Sequence, residues 1–590
     1  MAKDERRGMT RREFNRALVM VTGLATASGA RCAPAPAQSV SPSTVAAPAV
    51  ITRKRLNILL LVSDQERAWP DLPAGLGLDA HEWLLERGTG FTNFNMHTTP
   101  CSPARSTIYC GQHTKLTRVT TNLGAPPFPV MADIPTIGHM LRAQGYYTAY
   151  KGKWHLSKVP EDPTLQYGPF PSARDALEPY GFSDYSNVGI ADGGVWSGYT
   201  LDGQTASEAC LWLREKGRTL DRPWLLAVNF VNPHDIVFFD DYDRQQARTR
   251  YDRDFLAPLA PPPQEAPYDR TWDLPLPKSY YADRLQGKPW AQTSYVDFCN
   301  ALYGRIDRDD EVRWRHYQSY YYNCIRDVDR HAMTVLRTLQ SLGLDQDTVV
   351  IYLADHGEML GAHGLRQKGP FMYKENMRVP FIVRHPDARG GYQTAALGGA
   401  IDLAPTLLAI AGMSEAQRAA KFPALKGVDL LPAVADPNAR TARDRRGHLY
   451  DYNTMLYVDP GIGTSLFAEH ERATWWNVFK VALEHGRLRP SLDHPGLFRG
   501  IHDGRYKFAR YFKPSEHHMP KDWDTLLKHN QLELYDTQVD PDEIVNLASQ
   551  PELHKELILE LNAKTNALIM EEIGFDDGRE HPGPDFLYRL

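Results

Sequence analysis

Four short runs of this chain are apolar almost throughout and stop at polar residues able to do chemistry. Residues 57–62 end before Ser63, Asp64 and Gln65; 146–150 before Lys151, Gly152, Lys153, Trp154 and His155; 224–231 before Asn232, Pro233, His234 and Asp235; and 348–353 before Ala354, Asp355, His356 and Gly357. A run of this length with little polar interruption suits a strand buried on both faces, the condition of a parallel sheet covered by helices. Residues 134–144, closed by Gly145, read as a helix leading into the second run. In open α/β sheets ligands bind beyond the carboxyl ends of the strands, so the polar residues at these four ends are expected to converge. Each has an ordinary use when taken singly, an Asp as a helix cap or a His or Lys facing water. The joint pattern is what predicts a site.

The rest of the 590 residues is arranged around that core. Met9-Thr10-Arg11-Arg12-Glu13-Phe14, followed by an apolar stretch at 17–24 and a run of small residues, resembles a twin-arginine export signal over residues 1–32. The stretch falls short of the roughly 20 residues that span a bilayer, so cleavage and release to the periplasm or the exterior are expected, with the twin-arginine machinery as a partner. Cys32 follows Arg31, a poor match to a lipidation site. Residues 33–52, rich in Ala, Pro and Ser, predict a flexible linker. Residues 53–440 are expected to form the catalytic α/β domain. Residues 236–315 carry many Pro, Asp, Arg, Tyr and Trp with little periodicity. They predict a long insertion over the active face, with aromatics that either meet a sugar or aryl ring or pack the loop. From about Asp503 a strand pattern gives way to helical spacing at 552–573, which marks a smaller C-terminal α+β domain over 441–590. The expected fold class is α/β: a large, mostly parallel sheet between helices, with that smaller domain appended.

Composition narrows the partners. A formal charge of −5 supplies no basic field for nucleic acid, so an anionic substrate has to be met by local cations in a cleft. The six cysteines include no C-x-x-C pair, which disfavours zinc.

Pro100-Cys101-Ser102-Pro103-Ala104-Arg105-Ser106 contains a C-x-P-x-R core that resembles the formylglycine signature of the sulfatase family. The resemblance continues in order along the chain. Residues 57–65 are similar to the family's first strand and metal aspartate, 145–155 to its G-Y-x-T-x-x-x-G-K-W-H segment, and Pro233-His234 to its substrate histidine. Residues 355–361 with Lys368-Gly369 and Arg378-Val379-Pro380 are similar to its second metal segment, and Glu533-Leu534-Tyr535-Asp536 with Asp540-Pro541 and Asn546-Leu547 to its carboxyl-terminal ending.

That resemblance implies hydrolysis of an anionic sulfate ester. It requires an oxygen nucleophile, a cation to offset charge on the sulfuryl oxygens and a proton for the leaving alcohol. The nucleophile would be the hydrate of 3-oxoalanine (formylglycine), produced from Cys101 by a formylglycine-generating enzyme; one hydroxyl attacks and the second expels sulfate. The implied metal ligands are Asp64, the modified Cys101, Asp355 and His356, with Gln65 as a further candidate where many relatives have a second aspartate. This mostly oxygen set suits Ca²⁺ or another hard divalent ion, and the imidazole moves the choice toward Mn²⁺; the resemblance places Ca²⁺ first, with Mn²⁺ or Mg²⁺ as alternatives. Arg105 is expected to support the nucleophile, Lys153 and Lys368 to touch sulfuryl oxygens, and His155 to orient or deprotonate the hydrate. His234 is the expected acid for the leaving oxygen, titrating near working pH. Asn122 is a weaker candidate for substrate contact, and His363 is expected to be a loop hydrogen bonder. Two other functions remain open: a phosphonate or phosphate ester hydrolase of the same superfamily, since Asp64-Gln65 and Asp355-His356 also resemble phosphonate monoester hydrolases, and a binder of sulfated ligands that does no chemistry.

Overall fold

A computed structural model of the chain describes residues 55–122, 133–157, 159, 176–186, 194–239, 259–454, 493–516 and 519–576. The expected export signal and linker lie outside them.

The four apolar runs become strands, three of which extend past the predicted end into the polar residues. In chain order the first ten strands are β1 (Asn57–Asp64), β2 (Thr89–Phe91), β3 (Phe94–Asn95), β4 (Tyr147–Gly152), β5 (Ser183–Ser186), β6 (Trp224–Pro233), β7 (Thr348–Ala354), β8 (Phe381–Arg384), β9 (Tyr392–Thr394) and β10 (Gly398–Gly399). Eight of them form one sheet in the order β5-β4-β6-β1-β7-β8-β2-β9, in which β8 runs against its two neighbours and every other pairing is parallel. The central strand β1 lies between β6 and β7, with Ile58 opposite Leu225 on one side and Val349 on the other.

Alternation along the strands explains the unbroken apolar runs. Ile58, Leu60 and Val62 face one core with Leu225, Ile351 and Leu353, whereas Leu59 and Leu61 face another with Leu226, Val350 and Tyr352. The principal helices are α1 (Asp79–Arg87), α2 (Cys101–Cys110), α3 (Ile137–Arg142), α4 (Ser197–Trp212), α5 (Trp290–Tyr303), α6 (Glu311–Ser341) and α7 (Leu403–Ile410). The first core is closed by α2, α3 and α7, and the second by α1, α4 and α6. α3 is shorter than the predicted 134–144. Pro135 keeps Ile134 out of helical conformation, and Thr136 caps the helix through the backbone N–H groups of Gly138 and His139.

For the described part of 236–315 the structure decides between the two expected uses of the aromatics. This part contains a short helix, Lys278–Ala282, and α5. Tyr268, Trp272 and Tyr280 are buried against Tyr317, Tyr320 and Tyr321 of α6. Tyr295 and Phe298 pack with Tyr373, Tyr450 and Tyr535. These aromatics form core rather than a surface offered to a ligand. Polar residues interleaved among them hid the helical period.

The C-terminal part is an antiparallel sheet, β11 (His448–Tyr452), β12 (Leu497–His502), β13 (Tyr506–Phe512) and β14 (Asn530–Asp536), in that order, with α8 (Lys555–Glu572) on one face. The other face packs through Tyr452, Phe498 and Tyr511 on Phe371 and Tyr373. Buried charge ties α8 back to the main body. Arg443 bonds Asp402 at 2.6 Å and also bonds Glu572, whose second oxygen lies 2.8 Å from His113 Nε2. Arg443→Ala leaves buried Asp402 without its cation and Glu572 with His113 alone, and a loss of about 3–5 kcal/mol is expected in urea unfolding. Burial opposes ionisation of Glu572, but Arg443 and His113 bring its pKa down from 4.5 to about 2. A depressed carboxyl contributes stability that is complete above its unfolded value and lost as pH falls toward 2.

Candidate active site

Two adjacent strand ends build the centre of the site. Ser63 of β1 is in register with Ala354 of β7, so the next residues, Asp64 and Asp355, emerge side by side. The chain turns at Gln65, at φ 74°, and the Gln65 N–H donates to Asp355 Oδ1 at 3.1 Å. Gly357 allows the following turn, because a Cβ there would lie 2.0 Å from the Glu375 carbonyl oxygen. His356 Nδ1 is 3.0 Å from the Gly357 carbonyl, an acceptor only, so this nitrogen carries the proton and Nε2 is left with its lone pair.

α2 presents its first turn to the same point. Cys101 is its first residue, and Arg105, four positions on, shares its face. Cys101 Sγ lies 3.1 Å from His356 Nε2 and 3.6 Å from Asp64 Oδ1. Arg105 is fully buried; it donates to Asp355 Oδ2 at 2.8 Å, Asp64 Oδ2 at 3.3 Å, the Lys153 carbonyl at 3.0 Å and Asn229 Oδ1 at 3.1 Å. The end of β4 adds Lys153, whose Nζ is 2.7 Å from Asp64 Oδ2. Gly152 permits this by passing so near β6 that a Cβ would sit 2.0 Å from the Asn229 carbonyl oxygen.

The electrostatics fit a site built for a cation. Ligand atoms of Asp64, Cys101, Asp355 and His356 all lie within 4.8 Å of one another. Burial resists ionisation of Asp64, yet Lys153, His234, Arg105 and His356 hold it well below the usual carboxylate range. Burial and then the charge of Asp64 push Asp355 up to about 7. Two carboxylates so close, one forced toward its neutral form by the other, are relieved by a metal ion between them. Burial keeps the imidazole of His356 neutral, as a metal ligand must be. Burial and Asp64 also raise the Cys101 thiol, which keeps an unmodified Cys101 protonated.

The other expected residues are distributed as follows. Lys368 donates to the side-chain oxygen of Gln65, and Gln65 Nε2 donates in turn to Glu358 and to Gln367, so the Gln65 carboxamide is engaged by three side chains. His155 stands at φ 57°, and its carbonyl accepts from Ser102 Oγ at 2.7 Å. Burial and then Lys153 keep its imidazole neutral, the state a base requires. Asn122 Oδ1 accepts the Ser102 N–H at 2.9 Å, next to Cys101. His234 begins the turn after β6, and its buried Nδ1 has no partner among the described residues. Burial and then the ammonium groups of Lys368 and Lys153 hold its imidazole pKa well below the ordinary value. His363 bonds Asp283 through Nδ1 at 2.7 Å and belongs to a loop, as expected.

Two supporting residues went unassigned in the sequence. Asn229 accepts from both Arg105 and, at 2.7 Å, the Tyr109 hydroxyl. Its signal was a carboxamide inside an otherwise apolar run. Glu358 accepts from Gln65, Tyr317 at 3.1 Å and the Gln367 N–H at 2.7 Å. It lay within the quoted 355–361 segment without a role.

Comparison with known proteins places this geometry in context. A family model described as "Sulfatase" matches residues 57–413, and one described as "N-sulphoglucosamine sulphohydrolase, C-terminal" matches 361–467. The chain is 29% identical to a choline-sulfatase of Rhizobium meliloti over 65% of this chain and 72% of that protein. It is 22% identical to a Δ4,5-hexuronate-2-O-sulfatase of Bacteroides thetaiotaomicron over 80% of this chain and 79% of that one. A phosphonate monoester hydrolase structure from Silicibacter pomeroyi shares the fold with a TM-score of 0.60 at 21% identity, covering 88% of this chain and 96% of that one.

Proposed function

Because this chain belongs to the sulfatase family and is a hydrolase of sulfate esters, we propose that its nucleophile is a formylglycine made from Cys101. The observation that carries the reading is the position of Cys101, 3.1 Å from His356 Nε2 and 3.6 Å from Asp64 Oδ1, with Arg105 one turn along the same helix. Oxidation to the aldehyde and hydration would supply two hydroxyls at this position, one to attack sulfur and one to expel sulfate. Asp64, the Cys101 position, Asp355 and His356 would hold one divalent ion, Ca²⁺ first and Mn²⁺ or Mg²⁺ as alternatives, and Gln65 is a further candidate whose carboxamide would first have to leave Lys368. Such an ion, when bound, offsets charge on the sulfuryl oxygens.

The chain's own residues do the remaining work. Arg105 holds both aspartates and the β4 end in one arrangement. Lys153 and Lys368 receive the sulfuryl oxygens, and Asn122 fixes the start of α2 beside the nucleophile or reaches the substrate itself. His155 orients the nucleophile and takes its proton. His234 gives a proton to the leaving oxygen; the negative charge of a bound ester offsets the two ammonium groups that, after burial, keep the imidazole neutral. His234→Ala is therefore expected to cost about 10²–10⁴-fold in kcat on alkyl sulfates, and far less on nitrophenyl sulfates, whose leaving group needs little protonation. An equal loss on both ester types removes His234 from the acid role.

The mass of the tryptic peptide 88–105, from protein made in a host with the modifying enzyme, tests the central claim. An aldehyde in place of the thiol supports it. A thiol in protein from the native source points to a sulfated-ligand binder. The names of the relatives place alkyl and sugar sulfates first in a substrate screen. Rates on a matched sulfate and phosphonate ester address the rival hydrolase reading. Export through the twin-arginine machinery to the periplasm or beyond completes the proposal.

A further inference from the structure

The imidazole of His234 is buried, and its Nδ1 has no partner among the described residues, so the aim of the ring depends on the backbone that carries it. That backbone, 231–235, is tied to α4 by two carboxylates that reach in opposite directions. Asp202, in the second turn of α4, accepts the Val231 N–H at 2.7 Å and the Asn232 N–H at 2.8 Å. Asp235, directly after His234, accepts the Gly198 and Tyr199 N–H groups, each at 2.9 Å. Those two N–H groups lie in the first turn of α4, where the helix itself offers no acceptor and the N-cap residue Trp196 makes no side-chain bond. Gly198 lets the two segments close up, since a Cβ there would lie 2.3 Å from the Asn232 side chain. The Asn232 carboxamide continues the tie, donating to the Tyr268 hydroxyl at 2.7 Å, which donates in turn to Asp327 at 2.7 Å.

Docking α4 on the sheet does not require this clamp, because Ala206 and Ala209 already pack with Leu226 and Val228 of β6. Asp202 and Asp235 are almost completely buried, and a carboxylate taken out of water carries a desolvation penalty that its N–H bonds serve chiefly to offset. Two of them, acting on the chain before and after one histidine, fix geometry more than they add stability. Neither bonds the His234 ring among the described residues, so neither acts on the reacting atoms directly. We propose that Asp202 and Asp235 are positioning residues for His234, which hold its imidazole where it meets the leaving oxygen of the ester. The proposal deepens the reading of His234 as the acid and rests on it. A displacement of about 1 Å at such a group is enough to slow a step by about 100-fold. Only esters whose leaving group needs the proton feel it.

Asp202→Asn and Asp235→Asn keep the size of the side chain but turn an NH₂ group toward one backbone N–H. In the full-length protein each is expected to lower kcat on an alkyl sulfate by ~10-fold or more and on a nitrophenyl sulfate by less than ~3-fold. Added to His234→Ala, each should change alkyl sulfate turnover by less than ~2-fold, because the group it positions is gone. A loss equal on both esters, or undiminished in the His234→Ala background, overturns the assignment. If neither Asn variant folds, Gly198→Ala, whose Cβ presses on Asn232, displaces the same segment and is read by the same pair of esters, with the same selective loss expected. Crystals of the variant that folds separate this claim from the acid reading. His234 displaced by ~1 Å, with Asp64, Arg105 and Lys153 unmoved, supports the clamp even where His234→Ala lowers both esters alike. An unmoved His234 refutes it.

Discussion

Replacing Cys101 by alanine is expected to lower kcat by about 10⁶-fold, the scale on which hydrolases lose activity when a covalent nucleophile is removed. The fold should survive. Cys101 is a small, fully buried residue at the first position of α2, and its loss should cost about 1 kcal/mol, near the average for point substitutions. Arg105, Lys153 and both aspartates keep their mutual bonds without it. Cys101→Ser makes a sharper test. A single hydroxyl there can accept a sulfuryl group but has no second hydroxyl to release it, so at most one turnover and a protein heavier by one sulfuryl group are expected by intact mass. Sustained turnover by either variant would end the formylglycine reading.

Asp64→Asn is expected to have the next largest effect, a fall of about 10³-fold or more in kcat, beyond the loss of a single preorganised donor. Asp64 is fully buried and meets Lys153 at 2.7 Å, Arg105 at 3.3 Å and Cys101 at 3.6 Å. The amide keeps the shape but removes the charge that both cations face and that a metal ion would share. Bound divalent metal, measured by elemental mass spectrometry on dialysed protein, should drop from about one per chain toward none. Breaking a buried pair on one side typically costs about 3–5 kcal/mol, so a lower midpoint in urea is expected as well. Full metal content with retained activity would take Asp64 out of the ligand set.

The main fold was legible wherever the signal was local. Residues 57–62 and 348–353 announced strands because their neighbours on both faces are apolar, a pattern visible within six residues. The ends of those strands marked where Asp64 and Asp355 would stand, whereas the helix that sets Cys101 and Arg105 on one face was seen only in the structure. The use of the aromatic stretch before α6 stayed open between ligand contact and packing because its burial depends on Tyr317, Tyr320 and Tyr321, which lie outside it in the chain.

What the sequence by itself determined was therefore the parallel sheet and the order of its chemical ends, which follow from side-chain periodicity, while the residues expected around Cys101 came through resemblance to the sulfatase family. Only the tertiary structure decided the state of those residues. The protonation of His234 and Asp355 depends on burial and on charges contributed by Lys153, Lys368 and Asp64 from distant segments. Lys368 meets Gln65 across 303 positions of sequence. Such pairings arise from packing between elements, and no local pattern encodes the electric field that packing creates.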